Sequence, residues 1–201
     1  MEVRRPRLLI VDDVPDNREL LARRFAQHGF DSVKAESGRS ALRAIEAEPF
    51  DTVLLDVTMP DMDGLEALAK IRAQFSPAEL PVIMVTGRAE STDVVKALTA
   101  GANDYVTKPI DFAVVQARVQ AQVARKRAED TLAHLVAQLE LAVLAHFRQL
   151  KRDAAALADT DLDTKQVAIV ESLKSSGSNF IRAVSKALDG GGREKPARSA
   201  A

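Results

Sequence analysis

Five side chains in this sequence could do joint chemistry: Asp12, Asp13, Asp56, Thr86 and Lys108. Each stands where a short apolar run stops. LLIV at residues 8–11 ends in Asp12-Asp13, and TVLL at 52–55 ends in Asp56. VIMV at 82–85 ends in Thr86, and the run around Tyr105-Val106 ends in Thr107-Lys108-Pro109. Taken singly these are ordinary: an acidic pair after a strand is usually a solvated loop, and a lone lysine is usually a surface residue. Together they place three carboxylates, a hydroxyl and an ammonium at the ends of successive strands. Like charges gathered in one place raise one another's pKa unless something neutralises them. A hard cation with oxygen ligands does so, and Mg²⁺ suits a few carboxylates plus waters. Lys108 adds a point charge for a phosphoryl group, and Thr86 adds a hydrogen bond. A carboxylate so placed can attack phosphorus and carry an aspartyl phosphate.

Such convergence needs a scaffold, and the pattern of elements supplies one. Strands are expected at 8–11, 32–35, 52–55, 81–85 and 104–106. Helical spacing covers 16–28, 40–48, 65–74 and 92–100, with Gly29 as a C′ residue and Ser37 as an N-cap. A further helix begins near Asp111. Five strand–helix units predict an α/β fold: a doubly wound five-stranded parallel sheet with right-handed crossovers and helices on both faces. Ligands of such sheets bind outside the carboxyl ends of the strands, which is where the five residues fall.

The segments LLIVDD, LLDVTMPDMDG, VIMVTG and YVTKP, in this order and at these separations, resemble the receiver domain of two-component response regulators, a flavodoxin-like fold. The resemblance covers about residues 7–124. It implies that Asp56 is the phosphoacceptor and that Asp12, Asp13, Asp56 and the backbone carbonyl of Thr58 hold Mg²⁺. It implies that Lys108 and Thr86 bind the phosphoryl group and that Thr86 and Tyr105 form the switch. Thr58 and Arg88 occupy positions that tune dephosphorylation, and the Lys108–Pro109 bond is expected to be cis. The phosphoryl group would come from a sensor histidine kinase, a phosphotransfer protein or a small phosphodonor. His28 reads as a surface residue at a helix end.

The helix begun near Asp111 carries neither proline nor glycine as far as Ala158. Positions 132, 135, 139, 142, 146 and 149 hold Leu, Leu, Leu, Ala, His and Gln in steps of three and four, with Val136, Val143 and Leu150 alongside. That is a heptad seam, strong at first and then fading. DTDLD at 159–163 reads as a polar turn. A second helix follows at 164–188 with apolar Val167, Val170, Leu173, Phe180, Ile181, Val184 and Leu188. From Gly190 the chain is low in apolar content, as disordered tails are. This region resembles the dimerisation and histidine-phosphotransfer (DHp) hairpin of sensor kinases. The resemblance implies a coiled-coil or four-helix-bundle dimer. It departs from kinase chemistry: His146 is followed by Phe147 and Arg148, His134 by Leu135 and Val136, and no ATP-binding domain follows. Autokinase activity is therefore not expected. His146 on the seam reads as a register-setting residue, with phosphohistidine at His146 or His134 as the alternative.

Composition excludes several classes. The 201 residues hold no cysteine, which rules out disulfides and thiolate metal sites. Residues 1–124 carry 15 basic and 19 acidic side chains (−4), and 125–201 carry 13 and 10 (+3), too mild an asymmetry to argue for nucleic acid. No basic recognition helix with a flanking turn is evident. The stretch MEVRRPRLLIVDD lacks the long apolar region and small-residue cleavage site of a signal peptide, and no apolar run reaches the ~18 residues that span a bilayer, so no signal peptide and a cytoplasmic protein are expected. The domain expectation is a receiver at 1–124, a dimerisation hairpin at 125–189 and a tail at 190–201. The function expectation is a phosphoacceptor response regulator with Mg²⁺ as cofactor. Its only chemistry would be self-phosphorylation from a donor and autodephosphorylation at Asp56. Its output would run through a homodimer and a downstream protein partner. The alternatives are a phosphorelay protein with a histidine-phosphotransferase hairpin and a regulator lacking its output domain.

Overall fold

The computed structural model describes residues 4–87, 91–158 and 164–191. Arg88, the turn expected at 159–163 and the tail expected toward the C-terminus (residues 192–201) lie outside the described residues. The chain divides into two compact units, Met1–Thr131 and Leu132–Ala201.

In the first unit the strands are β1 (Arg7–Val11), β2 (Asp31–Ala35), β3 (Thr52–Asp56), β4 (Val82–Thr86) and β5 (Asp104–Thr107). They alternate with α1 (Pro15–Gln27), α2 (Gly38–Ala47), α3 (Gly64–Arg72) and α4 (Ser91–Thr99), and α5 (Phe112–Ala158) follows. All pairings are parallel, in the order β2-β1-β3-β4-β5. Alternation along the central strands feeds two cores. Leu9, Val11, Val53, Leu55, Val82 and Met84 face α2, α3 and α4 through Ala41, Ile45, Leu68, Ile71 and Ala97. Leu8, Ile10, Leu54, Ile83 and Val85 face α1 and α5 through Leu21, Phe25, Val115, Val119 and Val123. A strand buried on both faces must be apolar throughout, which is why β3 and β4 read as unbroken runs.

Two local details follow from side-chain chemistry. Gly29 takes φ 82°, the left-handed conformation that closes α1. Ser37 and Ser40 form a reciprocal capping box, Ser40 N donating to Ser37 Oγ (3.2 Å) and Ser37 N to Ser40 Oγ (3.0 Å), so α2 starts at Gly38 rather than at Ser40. At the amino edge of the sheet Arg72 acts as a clamp. Its guanidinium donates to the carbonyls of Gly101 (2.7 Å) and Leu80 (3.0 Å) and to Asn103 Oδ1 (2.9 Å), tying the end of α3 to the approaches of β4 and β5. Burial pushes its pKa down to about 10.

In the second unit the remainder of α5 is joined by α6 (Thr164–Gly191). The helix absorbs Gly177, and nothing lies within 4 Å of where its Cβ would be. Gly190 and Gly191, expected to open the tail, belong to α6, past the helix end expected near Leu188; amides of a last turn can still reach carbonyls four residues back, whatever glycine's propensity.

Candidate functional site

β1 has neighbours on both sides, β2 and β3, so the strand order reverses between β1 and β3, and a crevice opens at their carboxyl ends. Asp56 is the last residue of β3, in register with Val85 of β4, and Asp12 follows the last residue of β1. Both carboxylates are almost fully buried, at 1% and 2% exposure, while Asp13 stands nearer solvent. One oxygen from each of Asp12, Asp13 and Asp56 lies within 4.8 Å of the others. Lys108, just past β5, donates to Asp56 Oδ2 (2.7 Å) and Asp12 Oδ2 (3.1 Å). Its backbone N–H is held by the carbonyl of Thr86 (2.7 Å), and the Lys108–Pro109 bond is cis. The edge of the sheet thus brings four of the sequence-predicted residues into one site.

Burial raises the Asp56 carboxyl above its usual range; Lys108 opposes this but does not cancel it, and Asp12 adds to it. Burial pulls the Lys108 ammonium down, yet its hydrogen bonds to Asp56 and Asp12 and their charges outweigh that and hold its pKa up. The two directions are compatible, because one lysine gains from two carboxylates while each carboxylate has only a share of the lysine. The donor set is all oxygen and net negative, which fits a hard divalent cation.

Thr86 ends β4 and is buried; Thr58 is exposed and donates its N–H to Asp56 Oδ1 (3.3 Å). Tyr105, on β5, is half-buried against the core that holds Met84, and the Arg118 guanidinium sits 5.7 Å from its ring centre. Arg118 itself pairs with Asp104 (2.5 Å). His134 and His146 are both exposed on α5, and Gln138 Nε2 lies 2.9 Å from His134 Nε2. His28 bonds the carbonyl of Arg24 through Nδ1 (2.8 Å) and lies beside Phe112.

Three residues escaped the sequence reading of the site. Asn17 donates from Nδ2 to both oxygens of Asp12 (3.1 and 3.2 Å), while Arg18 donates to its backbone carbonyl (2.6 Å). The signal available was position: both lie in the first turn of the helix that follows the acidic pair. Gly64 starts α3 where an added Cβ would stand 2.2 Å from the Asp56 carbonyl oxygen and 2.8 Å from Val57 Cα. It also donates its N–H to Val57 O (2.9 Å), folding the loop back under Asp56. In the sequence it marked only the boundary of a turn.

A parallel sheet in the order 2-1-3-4-5, with buried carboxylates at its switch point and a lysine just past its edge strand, is a flavodoxin-like architecture with an acidic site at the switch point. The chain belongs to the response regulator receiver domain family, whose model matches residues 8–120, and so to two-component signalling. Receiver domains are phosphorylated by histidine kinases or phosphotransfer proteins. Among curated proteins it is 36% identical over 145 residues to a probable cyclic di-GMP phosphodiesterase of Vibrio cholerae, covering 72% of this chain and 33% of that protein. It is 35% identical over 146 residues to the DNA-binding response regulator MtrA of Mycolicibacterium smegmatis, covering 73% and 63%. The chain thus spans less than two thirds of the length of these relatives. Among solved structures it resembles a response regulator receiver domain protein from Methanospirillum hungatei, with 30% identity, a TM-score of 0.57, and 62% and 98% of the two chains covered. Among the described residues no helix is long and apolar enough to cross a membrane.

Proposed function

We propose that this chain is a response regulator phosphorylated on Asp56, with output through its C-terminal helices. The observation that carries the reading is Lys108 held at 2.7 Å from a buried Asp56 that shares its crevice with Asp12 and Asp13. An Asp56 oxygen attacks phosphorus, the bond from phosphorus to the donor breaks, and the leaving group departs with a proton. Asp12, Asp13, Asp56 and the Thr58 carbonyl would hold Mg²⁺, which when bound supplies charge neutralisation for phosphoryl and carboxylate oxygens. Lys108 shifts from the carboxylates toward a phosphoryl oxygen, and the Thr86 hydroxyl supplies a further hydrogen bond. Tyr105 follows Thr86 as the reporter of that change.

The receiver occupies residues 1–124 in this reading, and residues 125–189 form a dimerising hairpin that presents its state to a protein partner. What supports a protein contact over a nucleic-acid contact is the exposed leucine and valine surface of α5. The donor in this reading is a sensor kinase or phosphotransfer protein in the cytoplasm. Labelling with a small phosphodonor and Mg²⁺ tests the chemistry: wild type should gain one base-labile, Asp56-dependent phosphoryl group, and Asp56→Asn none. Label that survives in Asp56→Asn and disappears in His146→Ala or His134→Ala would transfer the reading to a phosphorelay. Fluorescence anisotropy with random-sequence duplex DNA at two salt concentrations should show no binding.

A further inference from the structure

The second unit gathers most of the apolar residues of α5 on two faces, with Leu141, 68% exposed, on neither. Leu144 and Ala154 are buried, at 8% and 7% exposure, and Glu140 and Phe147 are half-buried. These positions are four, three and seven residues apart, so they form one stripe. Its partner is α6, since the Phe147 ring stacks on Phe180 with centres 3.9 Å apart and planes 20° from parallel. The other apolar residues are left open. Leu132, Leu135, Val136, Leu139, Val143 and Leu150 are between 39% and 62% exposed. At 3.6 residues per turn, or about 100° per residue, this second stripe is centred roughly a quarter to a third of a turn from the face that meets α6.

We infer that this open stripe of α5, between Leu132 and Leu150, is a self-association surface that pairs in parallel with the same stripe of a second copy, while α6 occupies the neighbouring face. This deepens the dimer reading above and rests on it. The stripe is not a scatter of exposed leucines, because it follows the heptad spacing: 132 and 139 stand at a, 135 at d, and 136, 143 and 150 at e. An a/d/e pattern is wider than a two-stranded seam and suits a bundle in which each helix touches more than one neighbour. At about half exposure, six leucine and valine side chains offer on the order of 500 Å² per copy, so two copies bury about 1,000 Å², the lower bound of a specific interface. An α6 already committed to the adjacent face cannot cover it. Parallel pairing sets a residues against a residues, so His146, the next a position, meets its counterpart across the dimer and is withdrawn from solvent.

The absence of cysteine makes the surface testable by cross-linking in the full chain. Single-cysteine variants Leu139→Cys and Ala145→Cys are oxidised mildly, and Leu135→Glu/Leu139→Glu is weighed by light scattering. Ala145 is exposed and lies off both stripes. The expected result is a disulfide-linked dimer for Leu139→Cys, little for Ala145→Cys, and a dissociation constant raised at least 100-fold in the double glutamate variant. Its helical circular dichroism should be unchanged, which separates a lost interface from a lost fold. A wild type that remains monomeric at 100 μM overturns the dimer reading and this one together. A wild-type dimer that survives Leu135→Glu/Leu139→Glu, or that cross-links as readily in the Ala145→Cys variant, keeps the dimer and overturns this surface.

Discussion

Replacing Asp56 by asparagine should stabilise the metal-free protein, although it removes the residue on which the proposed chemistry depends. Asp12 and Asp56 place carboxylate oxygens within 4.8 Å of one another. Two unit charges at that range repel by about 3.5 kcal/mol at an effective dielectric constant of ~20. Taking the Asp56 carboxylate out of water adds on the order of 4 kcal/mol. Against these stands Lys108, whose ammonium at 2.7 Å returns about 6 kcal/mol on the same scale. The opposing effects leave the charged carboxylate about 1–2 kcal/mol unfavourable, the same sign as the upward pKa shift that burial imposes on it. Asparagine keeps the shape and can still accept from Lys108 and from the Thr58 N–H. Asp56→Asn should therefore raise the unfolding free energy by about 1–2 kcal/mol in EDTA at pH 7, or Tm by about 3–8 °C. The sign with pH follows. A carboxyl whose folded pKa is raised contributes stability that is present below its unfolded pKa and lost as pH rises through the folded value. The advantage of Asp56→Asn should accordingly shrink as pH falls from 7 toward 4, while groups that do not interact with Asp56 cancel in the difference. Urea unfolding followed by circular dichroism at pH 7 and pH 5 measures it. A variant less stable than wild type at pH 7, or a gap that widens on acidification, would refute the charge accounting.

Other perturbations reach the same site from its supports. Mg²⁺ should stabilise wild type, by about 2.7 kcal/mol at a concentration 100 times its Kd, and EDTA should reverse this; thermal unfolding shows whether Asp56→Asn loses most of the effect. Asn17→Ala removes two hydrogen bonds from Asp12 and should weaken Mg²⁺ binding about 10- to 100-fold in calorimetric titration, with little change in the metal-free melting curve. Gly64→Ala sets a methyl against the backbone of Asp56 and Val57, which cannot withdraw; a loss of about 2–3 kcal/mol in urea and a slower labelling rate are expected. Arg72→Met should cost about 2–4 kcal/mol through the stranded carbonyls of Gly101 and Leu80 and the lost bond to Asn103 Oδ1, which keeps only the Val82 N–H, with labelling of the folded protein unchanged because the clamp sits at the opposite edge of the sheet.

The sequence by itself determined the receiver architecture and which polar residues stand at the carboxyl edge of its sheet, for a physical reason. A parallel strand buried on both faces has to be an apolar run, so β3 and β4 announce themselves, and whatever polar residue ends such a run must stand at the carboxyl edge. Asp12, Asp56, Thr86 and Lys108 were legible on that rule, and four short motifs in order added the family. Helix ends were less legible, as at α2, where the capping box moved the start by two residues. Tertiary structure alone decided what depends on direction rather than order. Asn17 turns back onto Asp12 only because α1 starts where it does, and Gly64 is required only because its α-carbon meets the backbone of Asp56. Arg72, an unremarked surface-type residue in the sequence, became a clamp once three segments converged on it. On α5 the sequence marked one apolar seam, but the structure leaves its leucines and valines open and covers instead a neighbouring face, that of Leu144, Phe147 and Ala154, which meets α6. Periodicity gives the angle of each side chain about its helix; only the neighbouring element decides which angles are filled.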